Sequence, residues 1–534
     1  MKDLRRLTLI YFLGFSLLFS CSTDDGNGED PIVEPDVPSA PGSVSLQEAI
    51  FYNIDLNNRT GDSFKVRIFV EGLTDANAIF QFAATAPGTY DLLNFGSYVN
   101  DFRAYNEDYE PLEVSKLSTN QWQLADPANT SIIEYEIRET WDELNPPNEI
   151  QRMGGTSIED DHSLINTFGV MGYPTGLEEK KYVVSIERSS SWVVGTALPE
   201  NNNGYYVAQD YDHLADSPLL LGDLTTATIN IDQTEVDIWT YSATGVNTSF
   251  DIENQIEEVM YDAKAFLGEL PVDNYTFLYH FESEDKIEGE PYGGALEHSY
   301  SSVHVIEENP AAQESAWIKY AAAHEFFHIV TPLNVHSEII EDFNFVNPTP
   351  SRHLWLYEGV TDWAAWMMRY RNNSISLNYL LQIFGAYINV NENEFDESYS
   401  LVDISLQSYT PQGAEQYGNV YYRGAIVAAL LDIRLLEISG GERGLREVML
   451  ELVERYGPEN EFQDDQFFEV FTAMTYPEIG DFIENYIKGT TDLPYQEYFN
   501  KIGIEYDPAT YTLTPISNPT AEQQFLFDRW SENL

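Results

Sequence analysis

Alternating apolar and polar positions dominate the first half of the chain, from about Val44 to Thr240. The alternation is clear in four segments, SFKVRIFVEGL, SIIEYEIRETW, KYVVSIERSSSWVVG and VDIWTYS. Side chains along a strand point to opposite faces in turn, so this pattern is typical of strands with one buried face. Turn-forming sequences such as APGTY and NNNGYY separate the segments. The pattern predicts a β-sandwich-like N-terminal domain over residues 44–240.

The apolar period changes to that of a helix near Ser249. In DIENQIEEVMYDAKAFLGELP, six apolar residues fall on one helical face and Pro271 ends the pattern. These six are Ile252, Ile256, Val259, Met260, Ala263 and Phe266. Segments 316–329, 354–371, 420–438 and 444–456 predict further helices. We therefore expect an α+β multidomain protein, with a mainly helical domain over residues 241–506 and a short C-terminal tail over residues 507–534.

Residues 1–20 have the features of an export signal. Lys2, Arg5 and Arg6 precede a largely apolar run over residues 7–19, which is too short to cross a bilayer as a helix. Cys21 follows and is the only cysteine of the chain. The sequence LLFSC resembles a bacterial lipobox, which predicts a lipoprotein signal peptide and lipidation of Cys21. The alternative is an ordinary secretory signal followed by an incidental cysteine.

The next segment, residues 21–43, is rich in Asp, Gly, Pro and Ser and predicts a flexible acidic tether. Its acidic residues directly after Cys21 resemble the surface-export signals of some Gram-negative lipoproteins. We expect an exported protein that is lipid-anchored to the bacterial outer membrane, in either a periplasmic or an outward-facing position.

The chain is strongly acidic, with 27 Lys and Arg against 88 Asp and Glu and a formal net charge of -61. Nucleic-acid binding depends on Lys and Arg that neutralise phosphates, so the composition argues against nucleic acid as a partner. The acidic residues are spread along the chain, which is typical of a solvated surface. A hydrophobic content of 43% over 534 residues is ample for packed cores.

The segment YAAAHEFFHIV carries the clearest chemical pattern. His324 and His328 are four positions apart on a predicted helix, so both imidazoles point the same way and can reach one zinc ion. Glu325 lies beside that face, where a carboxylate can take a proton from water activated by the metal, as in metallopeptidases. The alternative is a helix with two hydrogen-bonded core histidines.

A third ligand is predicted on the next strong helix, in LWLYEGVTDWAAW. Glu358 can supply a carboxylate oxygen and leave one coordination position open, which is the arrangement of catalytic zinc sites. Asp362 lies one turn later on the same face. It is placed to accept the second N–H of a ligand histidine, although a solvated helix charge is an equal alternative.

The segments HEFFH and LWLYEG together resemble gluzincins, in which two His and one Glu bind zinc. Within that group, the chain is similar to the glycyl aminopeptidase family, metallopeptidase family sixty-one, over most of the mature sequence. APGTYDLLNFGSYVNDFRAYNEDYEPLEV and YDHLADSPLLLG resemble its N-terminal part, and YGGALEHSYSS, VYYRGAIVAALLDI and GTTDLPYQEYFNKIGI its catalytic part. The resemblance implies a thermolysin-like catalytic domain with one Zn²⁺ and a peptide substrate with a free N-terminus.

The resemblance also implies roles for single residues. Zinc would be held by His324, His328 and Glu358, with Glu325 as the general base. In GALEH, Glu297 matches the position that binds the substrate's α-amine in related aminopeptidases. Tyr421 matches a tyrosine that donates to the oxyanion, and the neighbouring Tyr422 is the alternative donor. Gly293 and Gly294 are expected to let the strand edge lie against the substrate backbone. His298 is expected either to contact the substrate or to have a structural role, and the two alternatives have equal weight.

The chain departs from the family at two places. IVTPLNVHSEII replaces a Trp-Asn-Val-Lys-Arg segment after the zinc helix and loses its basic pair, which puts a glycine preference in doubt. Too few residues follow Tyr506 for the PDZ domain of many members. The sequence therefore predicts a zinc aminopeptidase. The alternatives are a zinc endopeptidase, which would also cut blocked peptides, and a non-catalytic peptide-binding lipoprotein with a structural or vestigial metal site.

Overall fold

The structure is a computed structural model that describes residues 37–59, 61–141, 150–283, 293–458 and 460–533. Contacts divide the chain into two units, Met1–Pro38 and Ser39–Leu534. Everything described below lies in the second unit. The predicted signal peptide, Cys21 and most of the predicted tether lie outside the described residues.

The first half of this unit is built from short strands in three sheets. The strands are β1 Ala49–Asp55, β2 Ser63–Phe69, β3 Ile79–Gln81, β4 Val99–Tyr105, β5 Pro111–Leu112, β6 Val114–Lys116, β7 Gln121–Leu124, β8 Ile132–Arg138, β9 Ser157–Ile158, β10 His162–Ile165, β11 Tyr173–Pro174, β12 Lys181–Glu187, β13 Val193–Gly195, β14 Tyr206–Ala208 and β15 Leu219–Gly222. A seven-stranded sheet has the order β14-β12-β1-β2-β8-β4-β5, and two four-stranded sheets have the orders β13-β15-β10-β9 and β11-β3-β7-β6. Two short helices, α1 Thr167–Val170 and α2 Tyr211–Ala215, lie among them.

One hydrophobic core joins these three sheets. Alternate residues of the seven-stranded sheet, such as Tyr52 and Tyr135, pack with Trp122 of one small sheet and Leu219 of the other. Buried tyrosine hydroxyls find hydrogen-bond acceptors within this core. Tyr135, for example, donates a hydrogen bond to the carbonyl of Val170. The predicted β-sandwich-like arrangement of the first half is therefore confirmed.

The second half combines a five-stranded mixed sheet with helices. Its strands are β16 Thr225–Ile231, β17 Thr234–Ser242, β18 Asn274–Glu282, β19 Gly294–His298 and β20 Ser301–Glu307, in the order β16-β17-β18-β20-β19. The helices are α3 Ser249–Leu267, α4 Ser315–Phe327, α5 Glu338–Glu341, α6 Thr361–Arg371, α7 Leu377–Glu394, α8 Leu401–Leu406, α9 Pro411–Gln416, α10 Asn419–Ser439, α11 Leu445–Arg455, α12 Phe467–Met474, α13 Pro477–Phe482, α14 Tyr495–Lys501 and α15 Ala521–Trp530. There are also two π-helical segments. Trp355–Val360 directly precedes α6, and Ile483–Ile487 directly follows α13.

The helices predicted from the apolar period are present, and α3 begins at a cap that its sequence encodes. At the start of α3, the Thr248 hydroxyl accepts from the Asp251 N–H while the Asp251 carboxylate accepts from the Thr248 N–H. Gly268, at φ +88°, ends the same helix. The six apolar residues predicted on one face of α3 are all buried.

The predicted layout differs from the structure in two places. Strand β17 crosses the domain boundary predicted between residues 240 and 241, because it pairs along its length with β18. Residues 507–534 were predicted as a tail, but the described part of this segment contains a strand and a helix. Strand β22 Thr512–Pro515 pairs with β21 Ile504–Asp507. Helix α15 ends in Trp530, which is buried in the hydrophobic core of the second half.

Among the residues that the structure describes, no helix combines the length and the apolar character that crossing a bilayer requires.

Candidate active site

Helix α4 and the residue after it carry the two predicted histidine ligands. His324 lies in the last turn of α4, His328 follows its end, and their ring centroids are 4.9 Å apart. Both side chains are buried. The four-residue spacing therefore brings the two imidazoles together inside the protein, as the sequence predicted.

Glu358 reaches the same point from the π-helical segment Trp355–Val360. Its Oε2 lies 3.3 Å from Nε2 of His324 and 3.8 Å from Nε2 of His328. Around a tetrahedral zinc ion with bonds of about 2.0–2.1 Å, ligand atoms lie roughly 3.3 Å apart. The donor set and its spacing therefore fit zinc.

The hydrogen bonds of His328 support this fit. Its Nδ1–H donates to the carbonyl of Thr331 at 3.0 Å, which leaves the lone pair of Nε2 facing Glu358. This Nε2 is buried and has no hydrogen-bond partner among the described residues. Burial also lowers the pKa of His328 to about 4, so the imidazole is neutral near pH 7 and able to bind a metal.

Asp362 lies behind His324, one helical turn after Glu358. Its Oδ1 is 3.6 Å from Nδ1 of His324 and also accepts a hydrogen bond from the Tyr320 hydroxyl. Asp362 is fully buried, which excludes the solvated helix charge that the sequence left open. The carboxylate lies where it can fix the orientation of the His324 ring.

Two further carboxylates, Glu325 and Glu297, face the same space. Oxygens of both lie within 4.8 Å of each other and of a ring nitrogen of His328. Burial raises the pKa of Glu325 to about 7, with His324 opposing the rise and Glu358 adding to it. Burial also raises the pKa of Glu297 well above its usual range, and Glu358 and Glu325 contribute further. Oε1 of Glu297 has no hydrogen-bond partner in the described part of the chain.

Glu297 is presented by β19, the edge strand of the five-stranded sheet. The preceding Gly293 and Gly294 line the same cavity of about 410 Å³ as Glu297 and Glu325. Gly293 has φ +80°, and a Cβ on it would lie 2.0 Å from the carbonyl oxygen of Val305. Only glycine fits there.

The next residue on the same strand, His298, is hydrogen-bonded to Asp216 and does not face Glu325. Its Nδ1 lies 2.8 Å from Oδ1 of Asp216, which also accepts the backbone N–H of Ser299. His298 borders a second cavity rather than the one that holds Glu325. These contacts give His298 a structural partner in the first half of the chain.

Helix α10 brings Tyr421 to the opposite side of the cavity. The helix packs closely on the π-helical segment, where a Cβ on Gly359 would lie 2.6 Å from Cα of Gly424. The Tyr421 ring centroid lies 5.7 Å from that of His324. Burial disfavours a charge on Glu358, but its interactions with His324, His328 and Tyr421 outweigh this and lower its pKa. Tyr422 packs elsewhere, on Tyr387.

The sequence did not identify three residues that complete the cavity wall. The Tyr417 hydroxyl lies 2.8 Å from the Tyr421 hydroxyl, and its ring centroid is 5.7 Å from that of Tyr90. A Cβ on Gly88 would lie 2.4 Å from Oε1 of Glu297. Tyr417, four positions before Tyr421, could have been inferred from helical spacing. Gly88 and Tyr90 belong to a distant loop of the first half, and nothing local in their sequence points to the site.

The remaining histidines of this region have ordinary hydrogen bonds, as expected. His304 bonds to the Ser302 hydroxyl at 2.9 Å, His336 to Glu341 at 2.8 Å, and His353 to the carbonyl of Asp464 at 2.8 Å.

Solved structures resemble the chain over most of its length. An aminopeptidase N family protein from Idiomarina loihiensis has a TM-score of 0.73 at 21% identity, covering 85% of this chain and 78% of that one. An M1 zinc metallopeptidase from Deinococcus radiodurans, bound to a Tyr-Ser-Ala substrate, has a TM-score of 0.50 at 11% identity, covering 84% and 95%. Native yeast LTA4 hydrolase has a TM-score of 0.51 at 14% identity, covering 84% and 68%. These similarities confirm the predicted gluzincin-like fold.

Two family descriptions match the sequence itself. Residues 51–223 match the peptidase M61 N-terminal domain, and residues 318–427 match the M61 glycyl aminopeptidase. A search of curated proteins returned no match. The second match includes the HEFFH motif, Glu358 and Tyr421, and the first includes the loop that carries Gly88 and Tyr90. The chain belongs to the M61 glycyl aminopeptidase family and is a peptidase.

Proposed function

We propose that the protein is a zinc aminopeptidase that removes the first residue from peptides with a free N-terminus, with Gly- and Ala-initiated peptides as the substrates to test first. The observation that carries this proposal is the position of Glu297. A half-buried carboxylate, with no cationic partner in the described part of the chain, lies in the cavity within 4.8 Å of Glu325 and His328. A substrate ammonium would supply the missing positive charge, and this pairing is strongest where water is excluded.

The proposed zinc site consists of His324, His328 and Glu358. When bound there, zinc would supply Lewis-acid polarisation of the scissile carbonyl and of the attacking water. Asp362 would hold the His324 ring in place, and the carbonyl of Thr331 does the same for His328.

The chain's own groups would handle the proton and the developing charge. Glu325 would take the proton of the attacking water and pass it to the leaving amine. Tyr421, oriented by the Tyr417 hydroxyl, would donate a hydrogen bond to the oxyanion. Glu297 would hold the α-ammonium, so that the first peptide bond, rather than an internal one, lies next to Glu325.

Replacing the proposed base tests this mechanism. Glu325→Gln is expected to keep zinc at wild-type stoichiometry and to lose turnover by about 100-fold to 10,000-fold. Metal analysis and hydrolysis of a Gly-initiated peptide measure the two quantities. Glu257→Gln, an exposed glutamate of α3, is the matched control and should leave both unchanged. Wild-type turnover in Glu325→Gln would refute the assignment of the base.

We also propose export and outer-membrane anchoring through lipid on Cys21, supported by the basic residues, the apolar run and the LLFSC sequence at the start of the chain. Globomycin blocks lipoprotein maturation and should leave the signal peptide attached. Normal processing in its presence would contradict the lipid anchor.

A further inference from the structure

A second cluster of metal-binding side chains lies where the two halves of the protein pack together. His162 begins β10 in the first half, whereas His280 and Glu282 occupy alternate positions of β18 in the second half. Residues two apart on a strand face the same side, so both β18 side chains point toward His162. One ligand atom from each of the three lies within 4.8 Å of the others, and all three residues are buried.

The spacing within this cluster matches that of the zinc site. Oε2 of Glu282 lies 3.3 Å from Nε2 of His280 and 3.6 Å from Nε2 of His162. The corresponding contacts of Glu358 in the active site are 3.3 Å and 3.8 Å. Both clusters contain two imidazoles and one carboxylate, and both have edges close to the roughly 3.3 Å expected around tetrahedral zinc.

Hydrogen bonds around the cluster orient two of its members, His162 and Glu282, toward a common point. Nδ1 of His162 lies 2.8 Å from Oδ1 of Asp161, which directs Nε2 toward Glu282. That Nε2 is buried and has no hydrogen-bond partner in the described ranges. Oε1 of Glu282 accepts from the N–H and hydroxyl of Ser283, which leaves Oε2 for the cluster. A carboxylate behind a ligand histidine is the usual support of a metal site.

We propose that His162, His280 and Glu282 bind a second zinc ion, distinct from the proposed catalytic one, which links the two halves of the protein. The location supports a structural role. Leu164 and Leu220 of the first half pack on Leu278 and Val303 of the five-stranded sheet beside this cluster. An ion held by β10 and β18 would cross-link the two sheets at that contact.

Metal analysis of the full-length chain tests this proposal independently of catalysis. After dialysis against a weak chelator, the wild type is expected to retain two zinc ions per chain. His324→Ala and His162→Asn should each retain one, and the double variant none. His213→Asn, which replaces a histidine outside both clusters, is the control and should retain two.

Cobalt substitution gives a second readout. In His324→Ala, one bound Co²⁺ should give the strong visible absorption of a tetrahedral site, and the added His162→Asn should abolish it. No ion in His324→Ala, or an ion that persists in the double variant, would overturn the proposal, whereas one ion in both the wild type and His324→Ala would contradict only the proposed catalytic zinc. Because His324→Ala leaves the second cluster intact, this result decides the question even if His162→Asn does not fold.

Discussion

Tyr421 is the residue whose position argues most strongly for a specific step. Tyr421 lines the cavity with Glu325 and Glu358, whereas the neighbouring Tyr422 packs on Tyr387 outside it. Tyr421→Phe should lower kcat by about 100-fold to 1,000-fold, because one oxyanion donor is lost, and should change KM little. Steady-state kinetics on a Gly-initiated peptide measure both constants. Tyr422→Phe is the matched control, and an equal loss in both variants would argue against the assignment.

Asp262 is a buried carboxyl away from the site, and it should make stability depend on pH. Burial raises its pKa from the ordinary value of 3.8 to about 6, even though Asn372 and Ser374 donate hydrogen bonds to it at 2.7 Å. The folded state therefore binds the proton more tightly than the unfolded state. The resulting stability is fully present below about pH 4 and is lost as the pH rises through 6.

Asp262→Asn removes this titration while keeping an oxygen that can accept both hydrogen bonds. The melting temperature of the variant minus that of the wild type should increase between pH 4 and pH 7, as measured by thermal unfolding. Asp528→Asn, at an exposed position of α15, should give no such trend. A difference that stays constant over this range would show that the Asp262 carboxyl does not titrate as described.

At the scale of elements, a loop of the first half contributes to the site built by the second. Gly88 has φ +78°, and a Cβ there would lie 2.4 Å from Oε1 of Glu297. Gly88→Ala should displace Glu297 and lower kcat/KM for free peptides by about tenfold or more, with zinc content unchanged.

Gly72, which lies outside this loop, is the matched control for the backbone strain that Gly88→Ala introduces. It has φ +76°, with nothing within 4 Å of the Cβ position. Gly72→Ala should therefore carry a similar backbone strain, of about 1 kcal/mol, without touching the site. Equal kinetic losses in Gly72→Ala and Gly88→Ala would mean that strain, rather than contact with Glu297, causes the effect.

Elements with a regular period were predictable, and those without one were not. Helices α3, α4 and α10 follow from apolar spacing, and glycines end α3 and α10. Strand β18 was not predicted, because eight of its nine residues are buried and no alternation remains in NYTFLYHFE. The π-helical segment that carries Glu358 packs closely on Gly424, a long-range contact that local propensity does not encode.

Within the site, predictability depended on sequence distance. His324, Glu325 and His328 lie in one motif, so helical geometry alone brings them together. Glu297 and Tyr421 required a resemblance to relatives, since a half-buried glutamate on an edge strand has no pattern of its own. Gly88 lies more than 200 positions before Glu297, and only the fold makes them neighbours.

The acidity of the whole molecule has its own consequence. With 88 acidic and 27 basic side chains, the chain has a net charge of -61, so its folded state carries strong self-repulsion. Raising NaCl from about 0.01 M to about 0.5 M shortens the Debye length from roughly 30 Å to well below 10 Å and should raise the melting temperature. KCl at equal ionic strength should act equally. A fall in melting temperature, or a large difference between the salts, would contradict simple screening.

Aminopeptidase action through Glu297 is the central claim for the whole molecule. The most direct test compares one short Gly-initiated peptide with its N-acetylated form, using wild type and Glu297→Gln, each with and without chelator. The predicted result is chelator-sensitive release of the first residue from the free peptide only, with kcat/KM at least about 30-fold lower in Glu297→Gln, because the buried ammonium loses its charged partner. Equal cleavage of both peptides by the wild type would contradict the claim and indicate an endopeptidase.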